Sequence, residues 1–63
     1  MKNNIKEIRK NIGLRQEDMA EILKVSRQTI IAIENDKYNP TLELAMRIAK
    51  LFNKKVEEIF LLE

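Results

Sequence analysis

The chain of 63 residues has no cysteine, no histidine and no tryptophan, and only one glycine, one proline and one tyrosine. Without cysteine no disulfide can form, and without cysteine or histidine the zinc sites that hold many small domains together are excluded. The same lack removes the usual nucleophile and base pairs of hydrolytic enzymes. Glu57 and Glu58 are an adjacent carboxylate pair near a helix start, and neighbouring helical residues point apart, so they suit the helix dipole better than acid-base chemistry. No enzyme activity, cofactor or metal is expected. No apolar run approaches the roughly 18 residues of a membrane span, and no apolar stretch opens the chain, so no membrane association and a cytoplasmic location are expected. A chain this short buries only about 60% of its unfolded surface. Helix packing and self-association are left to stabilise it, which favours a homodimer.

Charge is modest in total and uneven in distribution. Twelve basic and ten acidic side chains give +2, with a sequence pI of about 9.1. Residues 1–39 hold 8 basic and 6 acidic groups and residues 40–63 hold 4 and 4, so the excess lies in the first part of the chain. An electrostatic footprint on phosphates would require such a bias.

Apolar periodicity divides the sequence into five helices. Asn4 and Glu7 form an Asn version of a capping box, with Ile5, Ile8 and Ile12 at helical spacing, which predicts a first helix over Asn4 to Asn11 closed by Gly13. A second is predicted over Gln16 to Leu23, with Met19, Ala20 and Leu23 inward and Ile22 beside the stripe. The third starts at the N-cap Ser26, flanked by the staple Val25 and Ile30, and runs over Arg27 to Glu34. Thr41 caps a fourth, where Leu42, Ala45, Ile48, Ala49 and Phe52 supply the apolar stripe and Arg47 and Lys50 face away. Val56, Ile59 and Phe60 mark a short fifth helix.

The second and third helices are joined by a turn too short for anything but a fixed crossing, as in a helix-turn-helix. On a wheel at roughly 100° per residue, Ile30 and Ile33 share one side of the third helix, while Gln28, Ile31, Ala32 and Asn35, flanked by Arg27, share the other. That second face suits base edges in a DNA major groove: Arg can clamp guanine, Gln can clamp adenine, and an apolar side chain can meet the thymine methyl. A plain solvated face is the competing reading. Lys37 and Tyr38, in a segment kept from helix by Pro40, offer a cation and a hydroxyl suited to phosphates. A surface role for Tyr38 as a lid on the core competes with that.

In the order and spacing of GLRQEDMAEIL, VSRQTIIAIEN and KYNPTLELAMRIAKLF, the chain resembles the Cro/CI-type (XRE family) repressors over nearly its whole length. It is most similar to small stand-alone members such as cytolysin-operon repressors. The resemblance implies an all-α, five-helix fold of the lambda-repressor type, as one helix-turn-helix domain over 1–63. It implies that Arg27, Gln28 and Ile31 face bases, that Gln16 meets a phosphate, and that Thr29, Asn35, Lys37 and Tyr38 lie along the DNA backbone. It also implies an ion pair between Arg9 and Glu34. Three positions depart from the family: Lys24 and Asp36 stand where glycine is usual, and Arg15 where a small capping residue is usual. A non-glycine residue at positive φ costs roughly 1 kcal/mol or more, so looser turns are expected there.

The apolar tail Leu61-Leu62 has two uses, a short strand paired with residues 1 to 4 or burial at a dimer interface, and both can hold together. The function expected is a sequence-specific repressor on a pseudo-palindromic operator, bound to double-stranded DNA at the nucleoid. The five helices use up the chain, so no small-molecule effector site is evident. The alternatives are a protein-interaction module built on the same motif, or the binding half of a two-component regulatory pair.

Overall fold

The computed structural model describes residues 1–62. Its elements run in the order β1 (Lys2–Asn3), α1 (Ile5–Asn11), α2 (Gln16–Leu23), α3 (Arg27–Glu34), α4 (Leu42–Phe52), α5 (Val56–Ile59) and β2 (Phe60–Leu61). The second and third helices have the bounds read from the sequence. Ser26 accepts a hydrogen bond from the Thr29 N–H, and Thr41 accepts one from the Leu44 N–H, each satisfying a first-turn donor of its helix.

At the chain ends, the expected Asn4 capping box is absent. The Asn4 side chain donates instead to the Glu58 carbonyl at 3.2 Å, and its N–H donates to the Ile59 carbonyl at 2.8 Å. The cap is taken over by Asn3, whose Oδ1 accepts from the Ile5 N–H at 3.1 Å. Tertiary bonding to α5 therefore outcompetes the local box. β1 and β2 pair antiparallel, Lys2 opposite Leu61 and Asn3 opposite Phe60, so Phe60 ends in the strand rather than in the fifth helix. The short α5 is closed at its start by Glu58, which accepts from the Lys55 N–H at 2.8 Å.

The four longer helices end in the same reversal. Gly13, Lys24, Asp36 and Asn53 have φ of 72°, 58°, 60° and 54°. In each, the N–H of the following residue reaches back five positions, as from Val25 to Ala20 and from Lys37 to Ala32. This is the Schellman arrangement, which satisfies the last carbonyls of a helix. The turns at Lys24 and Asp36 are therefore no looser than glycine turns. They keep the left-handed geometry and carry its strain.

The core is formed by side chains from all five helices, with Ile5, Met19, Ile30, Ile33, Ile48 and Ile59 almost wholly buried. On α4 the inward residues are Leu44, Ala45, Ile48, Ala49 and Phe52. The sequence reading put Leu42 in this stripe. It is 73% exposed, because it lies about a quarter turn from the centre of the buried face, and Leu44 takes the place. Ile12 is also exposed: it stands at the end of α1, just before Gly13 reverses the chain. Arg47 is exposed on the side of α4 away from the core, and its Nη2 reaches the end of α2, donating to the Leu23 carbonyl at 3.0 Å.

Candidate nucleic-acid interface

Two helices, α2 and α3, pack against each other, and Met19 and Ala20 of the first share one buried cluster with Ile30 and Ile33 of the second. The linking turn, Lys24 to Ser26, leaves no slack, and Arg47 holds the Leu23 carbonyl at the end of α2 just before it. Val25 packs against the core from the turn, as a hydrophobic staple should.

Beneath this pair lies a buried charge network. Arg9 on α1 forms a two-point ion pair with Glu34 at the end of α3, Nε to Oε2 at 2.7 Å and Nη2 to Oε1 at 3.2 Å. The Glu34 side chain is 2% exposed and that of Arg9 is 8% exposed. The third arm of the guanidinium, Nη1, donates to the Leu14 carbonyl at 2.9 Å, which fixes the segment entering α2. Gln16 donates to Glu34 Oε1 at 3.1 Å, and its own Oε1 accepts from Arg27 Nε and Nη2, both at 3.4 Å. One chain of polar bonds thus runs from α1 through the end of α3 and the start of α2 to the first residue of α3. Buried carboxylates are tolerated only when so satisfied.

The outward face of α3 is polar at its start and half-covered toward its middle. Arg27, Gln28 and Asn35 are exposed, whereas Ile31 and Ala32 are half-buried, so Ile31 offers an edge rather than the freely exposed side chain read from the wheel. Thr29 shares a hydrogen bond with Ser26, Oγ1 to Oγ at 2.9 Å, and its side chain is half-buried. Lys37 and Tyr38 are exposed on the segment after α3. Gln16 lies at the first turn of α2, but its amide is engaged between Glu34 and Arg27. It can reach a phosphate only through the N–H end or by exchanging partners.

Arg15, before α2, has no acceptor with which to cap the helix. Its guanidinium bonds Asp18 instead, Nε to Oδ2 at 2.9 Å, and lies 3.1 Å from Glu17. That hydrogen bond from Arg15 holds the Asp18 carboxyl below its usual range, and the same bond raises the Arg15 guanidinium.

Two positioning residues are ones the sequence reading passed over. Asn3 donates through Nδ2 to the Ile33 carbonyl at 2.8 Å and to Asp36 Oδ1 at 3.2 Å, tying the terminal sheet to the end of α3. Its cap on Ile5 is local, but nothing local marks its tie to α3, whose two partners are 30 and 33 positions away. Arg47, the other, carries a weak signal: a long cation on the polar margin of an amphipathic helix is able to reach a neighbouring helix end. Leu61 and Leu62 are exposed; Leu61 takes part in the terminal ladder, and Leu62 is 92% exposed.

A crossing pair of short helices, the second with a donor-rich first turn facing outward and a buried ion pair beneath, defines the helix-turn-helix class. A family model for the helix-turn-helix matches residues 5–59. The chain belongs to this family, in its Cro/CI-type (XRE) branch. Among known proteins it is 57% identical to an uncharacterised HTH-type transcriptional regulator of Methanocaldococcus jannaschii, over 100% of this chain and 96% of that one. It is 48% identical to the HTH-type transcriptional regulator YgzD of Bacillus subtilis, over 100% and 96%. A relative in Archaeoglobus fulgidus is 44% identical over 100% and 89%. No helix among the described residues is long and apolar enough to cross a membrane.

Proposed function

We propose that this protein is a sequence-specific DNA-binding transcriptional regulator, a repressor that acts as a homodimer by occupying a pseudo-palindromic operator. The observation that carries this reading is the placement of Arg27 and Gln28 in the exposed first turn of α3, with the opposite end of α3 fixed by the Arg9–Glu34 pair. The first turn of the recognition helix is the part that reaches base edges in this motif. Arg27 and Gln28 would read bases there, with Ile31 against a thymine methyl. Gln16, Thr29, Asn35, Lys37 and Tyr38 would contact phosphates and sugars, which fix register without reading sequence.

The remaining parts of the reading follow from this. A two-fold dimer presents two α3 helices about one helical turn of DNA apart, hence a pseudo-palindrome. Leu61 and Leu62 are apolar side chains that the second copy would help to cover. The whole chain would act as one DNA-binding unit in the cytoplasm, at the nucleoid, controlled by its concentration or by a partner protein. The HTH-type regulator names of the relatives support a regulatory role.

Selection of bound sequences from random duplex DNA, followed by anisotropy titrations at several salt concentrations, tests the proposal. Enrichment of an inverted repeat and a steep loss of affinity with salt are expected. Gln28→Ala should relax preference at one base pair per half-site by about 1–3 kcal/mol. Lys37→Ala should weaken all sequences alike and reduce the salt slope by about one phosphate. Salt-insensitive association without sequence enrichment would instead point to a protein-interaction module.

A further inference from the structure

The outer side of α4 carries two of the most exposed large apolar side chains in the fold, Leu42 at 73% and Met46 at 56%, one helical turn apart. They line a shallow groove of about 460 Å³ with Glu43, Arg47 and Lys50. Met46 and Lys50 also border a second depression that runs to Val56 at the start of α5. Leu42 and Met46 together make an apolar strip rimmed by charged side chains, on a helix whose opposite face already supplies the core, and apolar surface with a polar rim is the pattern of an interaction site.

The charges on this face select an occupant. Glu43 and Lys50 are seven residues apart, two helical turns, so they stand on one line along the middle of the exposed side. Among the described residues neither has an ion-pair partner within the chain. A surface with a negative end and a positive end matches a copy of itself turned by 180°. When two α4 helices lie antiparallel, each Glu43 meets the other copy's Lys50 and Met46 meets Met46 near the two-fold axis. A parallel pairing would set like charges against each other. An isologous contact requires this kind of self-complementarity.

We infer that a second copy of this chain seats on α4, antiparallel, with the two-fold axis beside Met46. This rests on the homodimer reading above and gives it a location distinct from the tail. Leu61 and Leu62 add a smaller apolar surface, one part of which the intramolecular strand already uses.

Sedimentation equilibrium of the full chain across micromolar concentrations, with melts to verify folding, tests it. Glu43→Lys and Lys50→Glu should each raise the dimer dissociation constant by about tenfold or more, because each places like charges in contact twice. The double reversal should restore association to near wild type. Met46→Lys, which sets two cations at the axis, should weaken it most. Removal of the residues after Phe60 should weaken it less than either charge reversal. Wild-type association in both single reversals, or no recovery in the double reversal, overturns the α4 seat. So does a truncated chain that is monomeric while the reversals still pair. A wild-type chain that stays monomeric both free and on operator DNA overturns the homodimer itself, and this seat with it.

Discussion

α3 and α4 are held in the same fold by different means. α4 buries five side chains, from Leu44 to Phe52, and needs little else. α3, of eight residues, buries only two apolar side chains fully, Ile30 and Ile33, because its other face is turned outward. Two buried isoleucines contribute roughly 3–6 kcal/mol of transfer free energy, too little to fix the direction of a helix that must present side chains to a partner. Polar braces make up the difference: Ser26 at the start, Glu34 and the Ile33 carbonyl at the end, held by Arg9 and Asn3. A helix that gives up burial for an exposed face depends on polar contacts whose geometry is directional.

The strongest way to break this contrast is to remove one partner of the buried pair. Arg9→Ala or Glu34→Ala should each cost about 3–5 kcal/mol, since the remaining charge is left buried and unpaired. For a domain of this size that is a large share of total stability. Urea melts measure it. Replacing both partners together, Arg9→Met with Glu34→Leu, should recover much of the loss, because an apolar pair of similar volume avoids the desolvation cost. Losses under 1 kcal/mol for both single variants would show that the pair is solvated and α3 is held by hydrocarbon like α4.

A smaller effect is expected from the other brace. Asn3→Ala removes the hydrogen bond to the Ile33 carbonyl and the cap on Ile5, and should cost about 1–3 kcal/mol. Hydrogen exchange should show the last turn of α3 opening more often while α4 protection is unchanged. Equal loosening of both helices would mean that Asn3 supports the fold as a whole.

The same contrast explains what could be read in advance. Helices whose identity rests on apolar spacing and caps, α2 and α3, were legible to the residue, because Ser26, Val25 and the Met19-Ala20-Leu23 stripe are local signals. The all-α architecture followed from them. Leu42 was misassigned because periodicity alone places a helix's first residue on the stripe as readily as its third. Asn3, the Asn4 bond to Glu58 and the Arg47 bond to Leu23 join residues far apart in sequence, and pairings of that kind leave no trace in periodicity. The Arg9–Glu34 pair was legible only through the resemblance, whereas the exposed first turn of α3 with Arg27 and Gln28 could be drawn from the wheel.

A third test addresses the turns that flank α3. Lys24 and Asp36 occupy left-handed conformations, which cost a non-glycine residue roughly 1 kcal/mol or more. Lys24→Gly should stabilise by up to about 1 kcal/mol, the relief of strain being offset in part by the entropy of the unfolded glycine, and Asp36→Gly by less, because it also removes the acceptor of the Asn3 Nδ2 hydrogen bond. The reverse change at Gly13, Gly13→Ala, should destabilise by a similar amount. Its added Cβ would meet no atom within 4 Å, so only the backbone angle is at issue. Thermal melts of the three variants check the signs. A loss on Lys24→Gly would mean that the lysine side chain contributes more there than its backbone costs.

The smallest expected effect lies at the start of α2, where Arg15 holds the N-cap position without a side-chain cap. Its bond to Asp18 lowers the carboxyl in the folded chain below the ordinary value of about 3.9. A group with a lowered folded pKa contributes stability that is fully present above its unfolded pKa and is lost as pH falls through the folded one. The contribution should therefore be constant from neutral pH down to about pH 4 and disappear below it. Both side chains are at the surface, where solvent screens such pairs, and salt should weaken the effect further. The difference in melting temperature between wild type and Asp18→Asn, followed from pH 7 to pH 3, isolates this one carboxyl from the others that titrate in the same range. It should be small and favour the wild type at pH 7, then close as the acid is protonated. A difference that widens toward acid pH would mean that Asp18 is held by something other than the Arg15 cation.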